Sequence, residues 1–98
     1  MRVILERTGG FAGIKLRTSL DSESLTESQA RCLRELVEKS RFFDLPLELH
    51  APNSGADRFQ YRVTVESEKG SHTVVASETA VPPEMRPLLD WLVQRACR

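Results

Sequence analysis

The sequence predicts an α+β domain of two layers: one four-stranded antiparallel sheet with two helices packed on one face, in the order ββαββα. Three observations lead there. Four runs alternate apolar and polar side chains with the period of a strand, in two pairs each joined by turn residues. Two further stretches, one after each pair, carry apolar residues at helical spacing. Neither half, a hairpin plus an amphipathic helix, can bury its apolar face alone, so the halves share one core. The 98 residues are therefore expected to form a single domain, 1–98. The order repeats without a matching sequence repeat, so no duplication is inferred.

In the first hairpin Val3 and Leu5 point one way, and Arg2, Ile4 and Glu6 the other. After Gly9-Gly10-Phe11-Ala12-Gly13 the alternation resumes, with Ile14, Leu16, Thr18 and Leu20 opposite Lys15, Arg17 and Ser19. The paired glycines supply backbone that reaches positive φ. This connection of about five or six residues is longer than a tight turn needs.

Asp21 to Ser24 break the pattern. Ser24-Leu25-Thr26-Glu27 fits a capping box and Thr26-Glu27-Ser28-Gln29 fits another, so two starts of the first helix are open. Ala30, Leu33, Leu36, Val37 and Ser40 then share one helical face, opposite Arg31, Arg34, Glu35 and Glu38. Phe42, Phe43, Leu45 and Leu47 follow, and Pro46 stops helical continuation. Glu48 to Asp57, with Pro52, Asn53, Ser54 and Gly55, has no periodicity and is expected to be a loop.

Asp57 to Ser67 is the cleanest strand, with Phe59, Tyr61, Val63 and Val65 on one face. Ser67-Glu68-Lys69-Gly70 is a turn, and Ser71 to Ser77 returns as a strand carrying His72, Val74 and Ala76. Pro82-Pro83 are expected to start the last helix, although Pro87 limits how early it begins. Met85, Leu88, Leu89, Leu92, Val93 and Ala96 form its buried stripe with Trp91 at the flank, and Arg95 and Arg98 suit its C-terminus.

Composition excludes several function classes. The 14 Lys+Arg balance 14 Asp+Glu, at a pI of about 6.7. The balance holds on both sides of Leu49, 8 against 8 and then 6 against 6. Neither half has the positive excess that a nucleic-acid-binding protein uses to displace counterions, so no nucleic-acid partner is expected. Mean hydropathy is −0.34, and no apolar run approaches the roughly 18 residues of a membrane span, so no membrane partner is expected either. Charge interrupts the N-terminus too early for a signal-peptide core, which makes the cytoplasm the expected location. A monomer is the expected state.

Catalytic machinery is not legible. Cys32 and Cys97 form no CxxC and have no histidine at zinc-ligand spacing, so they read as reduced, partly buried thiols. His50 and His72 belong to no HExxH or HxH pattern and read as solvated or structurally bonded. Cys32, mid-helix at the edge of the buried stripe, is poorly placed for a lowered thiol pKa. Arg31 and Arg34 precede Glu35 and Glu38 by four residues each, which makes these acids members of an ion-paired solvent face. Gly9-Gly10-x-x-Gly13 lacks the lysine and the following helix of a phosphate loop. No catalytic residue, metal or cofactor is expected. Phe11 stands out as an aromatic among small residues on a long hairpin connection. It either folds back over the sheet edge or enters a partner's pocket as a single large anchor.

Three segments resemble the emfourin family. Glu6-Arg7-Thr8-Gly9-Gly10-Phe11-Ala12-Gly13 is similar to its "ERSGGFAG" opening, with Thr8 in place of serine. Asp57-Arg58-Phe59-Gln60-Tyr61-Arg62-Val63-Thr64-Val65-Glu66 resembles its central "DRFQYxVTVE". Met85-Arg86-Pro87-Leu88-Leu89-Asp90-Trp91-Leu92 resembles its final "LRPLLxWL", with Met85 in place of leucine. The resemblance implies a proteinaceous inhibitor of thermolysin-like (M4) zinc metallopeptidases of the protealysin type, made in the bacterial cytoplasm. It assigns no contact residue.

With the peptidase that the resemblance implies as partner, the aromatic among small residues makes Gly9, Gly10, Phe11, Ala12 and Gly13 the expected contact, with Phe11 in an apolar subsite. Ser24, Leu25, Thr26 and Glu27, or the loop at 50–57, are the alternative contact edges. The alternative function is a small non-catalytic interaction or regulatory domain.

Overall fold

Period-2 alternation has a physical consequence once strands pair: every second residue goes to one face, and one face is buried. The computed structural model describes residues 1–9, 15–49, 59–68 and 70–96, and it contains β1 (Arg2–Gly9), β2 (Leu16–Asp21), α1 (Glu27–Lys39), β3 (Glu48–Leu49), β4 (Phe59–Ser67), β5 (Gly70–Ser77) and α2 (Arg86–Ala96). The strands form one sheet in the order β2-β1-β4-β5-β3. Val3 and Leu5 of β1, Tyr61, Val63 and Val65 of β4, and Val74 of β5 all enter one core. Leu33 and Val37 of α1 and Leu88, Leu89 and Leu92 of α2 join the same core, so both helices cover the same face.

The expected four-stranded antiparallel sheet is corrected to five strands and a mixed sheet, in chain order ββαβββα. The fifth strand, β3, pairs parallel to β5 through Glu48↔Val75 and Leu49↔Ala76. Two residues are too few to display a period, and parallel pairing on an edge carries no turn signature, so the segment reads as loop in sequence. Two bonds hold its approach. The Val75 N–H donates to the Leu47 carbonyl at 2.8 Å. His72 Nε2 donates to the Leu45 carbonyl, also at 2.8 Å. Of the expected loop at 48–57, residues beyond Leu49 lie outside the described residues.

The first helix resolves the capping alternatives in favour of Thr26. Its hydroxyl accepts from the Gln29 N–H at 3.2 Å, and the Gln29 side chain accepts from the Thr26 N–H at 3.1 Å. Asp21 caps a separate short turn at Ser22–Ser24 by accepting from the Glu23 N–H. Ala30, Leu33 and Val37 are buried as the spacing predicts. Ser40 is buried too, with its hydroxyl donating to the Val37 carbonyl at 2.7 Å. The ion pair that forms on the exposed face is Arg31 with Glu27 at 3.8 Å. An acid preceding a base by four residues also suits the helix dipole.

The second helix begins at Arg86, not at Pro82-Pro83. The Pro82 carbonyl accepts from the Met85 and Arg86 N–H groups, so the prolines build a turn ahead of the helix. A helix started at Pro82 would place Pro87 in its second turn, where its missing N–H and ring are costly; starting at Arg86 puts it in the first turn. Met85, Leu88, Leu89 and Leu92 are fully buried.

Candidate functional site

Which connections share an end of the sheet follows from the register. β1 ends at Gly9, which pairs with Phe59 at the start of β4. Arg7 pairs with Leu16 at the start of β2, and Tyr61 with Ala76 near the end of β5. Leu49, the end of β3, pairs with the same Ala76. Gly9, Leu49 and Phe59, which border segments 10–14 and 50–58, therefore sit with Leu16 at one end of the sheet.

Gly9 itself adopts φ 96°, a left-handed backbone that other residues enter only at a cost. Of the expected contact group, Gly10, Phe11, Ala12 and Gly13 lie outside the described residues, as do His50 and Cys97.

The alternative contact edge stands at the opposite end. Asp21 pairs with Arg2, and the Ser22 N–H donates to the Met1 carbonyl at 2.8 Å. Ser24, Leu25, Thr26 and Glu27 continue from there into α1. Seven residues of strand at about 3.4 Å each separate Arg2 from Gly9 by roughly 24 Å. The two candidate edges are thus distinct surfaces rather than parts of one patch. Beside the second is a shallow, open depression of ≈ 390 Å³ lined by Thr26, Glu27, Ser28 and Arg31.

Near Gly9 the fold places a cation–π contact that no sequence motif names. Arg7 has the same parity as Val3 and Leu5, so it falls on the helix-covered face at the rim of the sheet. Its guanidinium lies 4.4 Å from the centre of the Phe59 ring. The signal was present in the alternation, since an arginine continuing an apolar stripe must find a partner for its charge and its stem. A second such pair, Arg95 over Trp91 at 3.6 Å, covers the indole on α2.

His72 has the structural role expected of it, hydrogen-bonded to Leu45 and edge-on to Phe42 at 5.6 Å. Cys32 is a free, half-buried thiol. Among the described residues no group of three or more His, Cys, Asp or Glu could hold a metal ion. None of their helices is long and apolar enough to cross a membrane.

This architecture defines the class: a two-layer α+β fold in which a five-stranded mixed sheet carries two helices on one face, the other face being uncovered among the described residues. The Emfourin family model matches residues 5–93, and the chain belongs to the Emfourin family. A solved structure, "Emfourin (M4in) from Serratia proteamaculans, M4 family peptidase inhibitor", is similar at 21% identity over 89% of this chain and 83% of that chain, with a TM-score of 0.49. No curated protein sequence matches the chain.

Proposed function

We propose that this chain is a proteinaceous inhibitor of thermolysin-like, M4 family metallopeptidases, acting by protein–protein contact that closes the active-site cleft. The observation that carries the reading is membership of the Emfourin family over residues 5–93. The protealysin type is the proposed target, and the bacterial cytoplasm the proposed place of action.

Contact is assigned to the sheet end that holds Gly9, through Gly9, Gly10, Phe11, Ala12 and Gly13. Two features support that end over Ser24–Glu27. Gly9 provides left-handed backbone with no side chain, which suits close approach to a cleft wall. The described residues that border segments 10–14 and 50–58 stand at that end, and a standard interface takes about 800 Å² per partner. That is about one-eighth of the 6335 Å² surface. Phe11 is the proposed anchor in the apolar subsite just after the scissile bond, because one large side chain among small ones is the usual form of a hot spot.

Titration of the purified protein into an active-site-titrated thermolysin-like peptidase with a peptide substrate tests the reading. Stoichiometric loss of activity is expected. Full activity at a large excess, across several such peptidases including a protealysin-like one, overturns it in favour of a non-catalytic interaction domain with another partner.

A further inference from the structure

We propose that the outer edge of β2 is an interface for a second copy of this chain, which pairs antiparallel through the same strand about a two-fold axis at Ser19. β2 ends the sheet, and among the described residues no strand pairs with its outer side. Its register with β1 runs without interruption from Arg2↔Asp21 to Arg7↔Leu16. It contains no proline and no break in that register, two of the devices that usually blunt an edge. The opposite edge of the sheet, β3, offers only two residues.

The direction of the backbone groups follows from one bond. The Ser22 N–H donates to the Met1 carbonyl, and antiparallel residues alternate between bonding their neighbour and turning away from it. Leu16, Thr18 and Leu20 therefore bond inward to β1, while Arg17, Ser19 and Asp21 turn their N–H and C=O groups outward. The same three project from the open face, opposite Glu6, Ile4 and Arg2, and Arg17 and Ser19 are exposed.

A two-fold pairing centred on Ser19 sets Arg17 against Asp21 of the second copy, twice, with Ser19 facing its own counterpart. Centred on Arg17, the strands would oppose two guanidinium groups; centred on Asp21, two carboxylates. Centred on Thr18 or Leu20, no opposite-charge pair forms within the strand. Charge complementarity thus selects the Ser19 register, because opposite charges across strands stabilise and like charges destabilise. In that register the half-buried Thr18 and Leu20 of the two copies also meet on the helix-covered face.

This inference departs from the monomer expected from the sequence and does not depend on the inhibitor reading. An interface of one short strand belongs to the small, transient class, below about 1,200 Å² in total. Self-association is therefore read at high concentration.

Sedimentation velocity of the full chain from about 10 μM to about 1 mM is the test, on the scale where a weak complex is populated. The expected result is a concentration-dependent dimer that weakens with added salt. Ser19→Lys puts two like charges on the axis from an exposed position. It is expected to weaken association about 2- to 5-fold, with the melting temperature held. Arg17→Glu, which makes both cross-pairs repulsive, is expected to act in the same direction. Ser71→Lys, exposed on the same open face but on β5, is expected to leave association unchanged. A wild-type protein that stays monomeric at about 1 mM overturns the proposal. So does a dimer that Ser19→Lys leaves intact, or one that Ser71→Lys weakens equally.

Discussion

Replacing His72 by alanine tests how the fifth strand is held. His72 Nε2 donates to the Leu45 carbonyl at 2.8 Å in a partly buried setting. Its ring stands edge-on to Phe42, with centroids 5.6 Å apart, and tilted against Phe43 at 6.1 Å. Losing the hydrogen bond costs about 0.5–1.5 kcal/mol, and losing the favourable ring packing costs a further ~0.5–1.5 kcal/mol. The expected loss of about 1–3 kcal/mol corresponds to a fall in melting temperature of roughly 5–15 °C for a domain of this size.

The effect is also local. Leu45 and Leu47 lead directly into β3, and the Val75 N–H reports its docking through its bond to the Leu47 carbonyl. Calorimetry gives the global loss, and amide exchange by NMR gives the local one. Exchange at Val75 should accelerate more than at Val63 or Val65, which pair in the sheet interior. If Val75 stays as protected as in wild type while stability falls, His72 acts on the core and not on β3. A melting temperature within about 2 °C of wild type would refute the energetic reasoning altogether.

Four further outcomes are expected. Leu89→Ala removes a fully buried side chain from α2 and should cost about 2–5 kcal/mol in chemical denaturation. Thr26→Ala removes the hydroxyl acceptor that forms one half of the capping box, for about 1 kcal/mol of stability. It should leave peptidase inhibition unchanged, because Thr26 stands at the sheet end away from Gly9. Phe11→Ala should weaken inhibition roughly 10- to 150-fold, the equivalent of about 1.5–3 kcal/mol of apolar burial, with the melting temperature nearly constant; unchanged inhibition removes Phe11 as the anchor. Inhibition should vary only weakly between low and high salt, since a chain of zero formal net charge has little long-range attraction to screen.

The parts of the fold that were legible in sequence are those whose burial has a period. Phe59, Tyr61, Val63 and Val65 announce β4 and its face by strict alternation. Leu33 and Val37, like Leu88, Leu89 and Leu92, announce the two helices by spacing. β3 was hidden because Glu48 and Leu49 form a strand only by docking against Val75 and Ala76 from far along the chain. The start of α2 is ambiguous in sequence because Pro82 and Pro83 are equally at home in a turn and in a first helical turn; Pro87 decides between them.

The candidate site was legible only as alternatives. Local motifs name Gly9-Gly10-Phe11 and Ser24 to Glu27, but no local pattern says that these lie at opposite ends of the sheet. That separation comes from the pairing of Arg2 with Asp21 and of Gly9 with Phe59. It turns a choice between two loops into a choice between two surfaces.

Amide exchange of the chain alone and in complex with a thermolysin-like peptidase distinguishes the two surfaces residue by residue. Binding is expected to slow exchange at Gly9, Lys15 and Phe59 and to leave Ser22 to Gln29 as in the free protein. Protection confined to Ser22–Gln29, or no protection anywhere at saturating peptidase, would contradict contact at the Gly9 end.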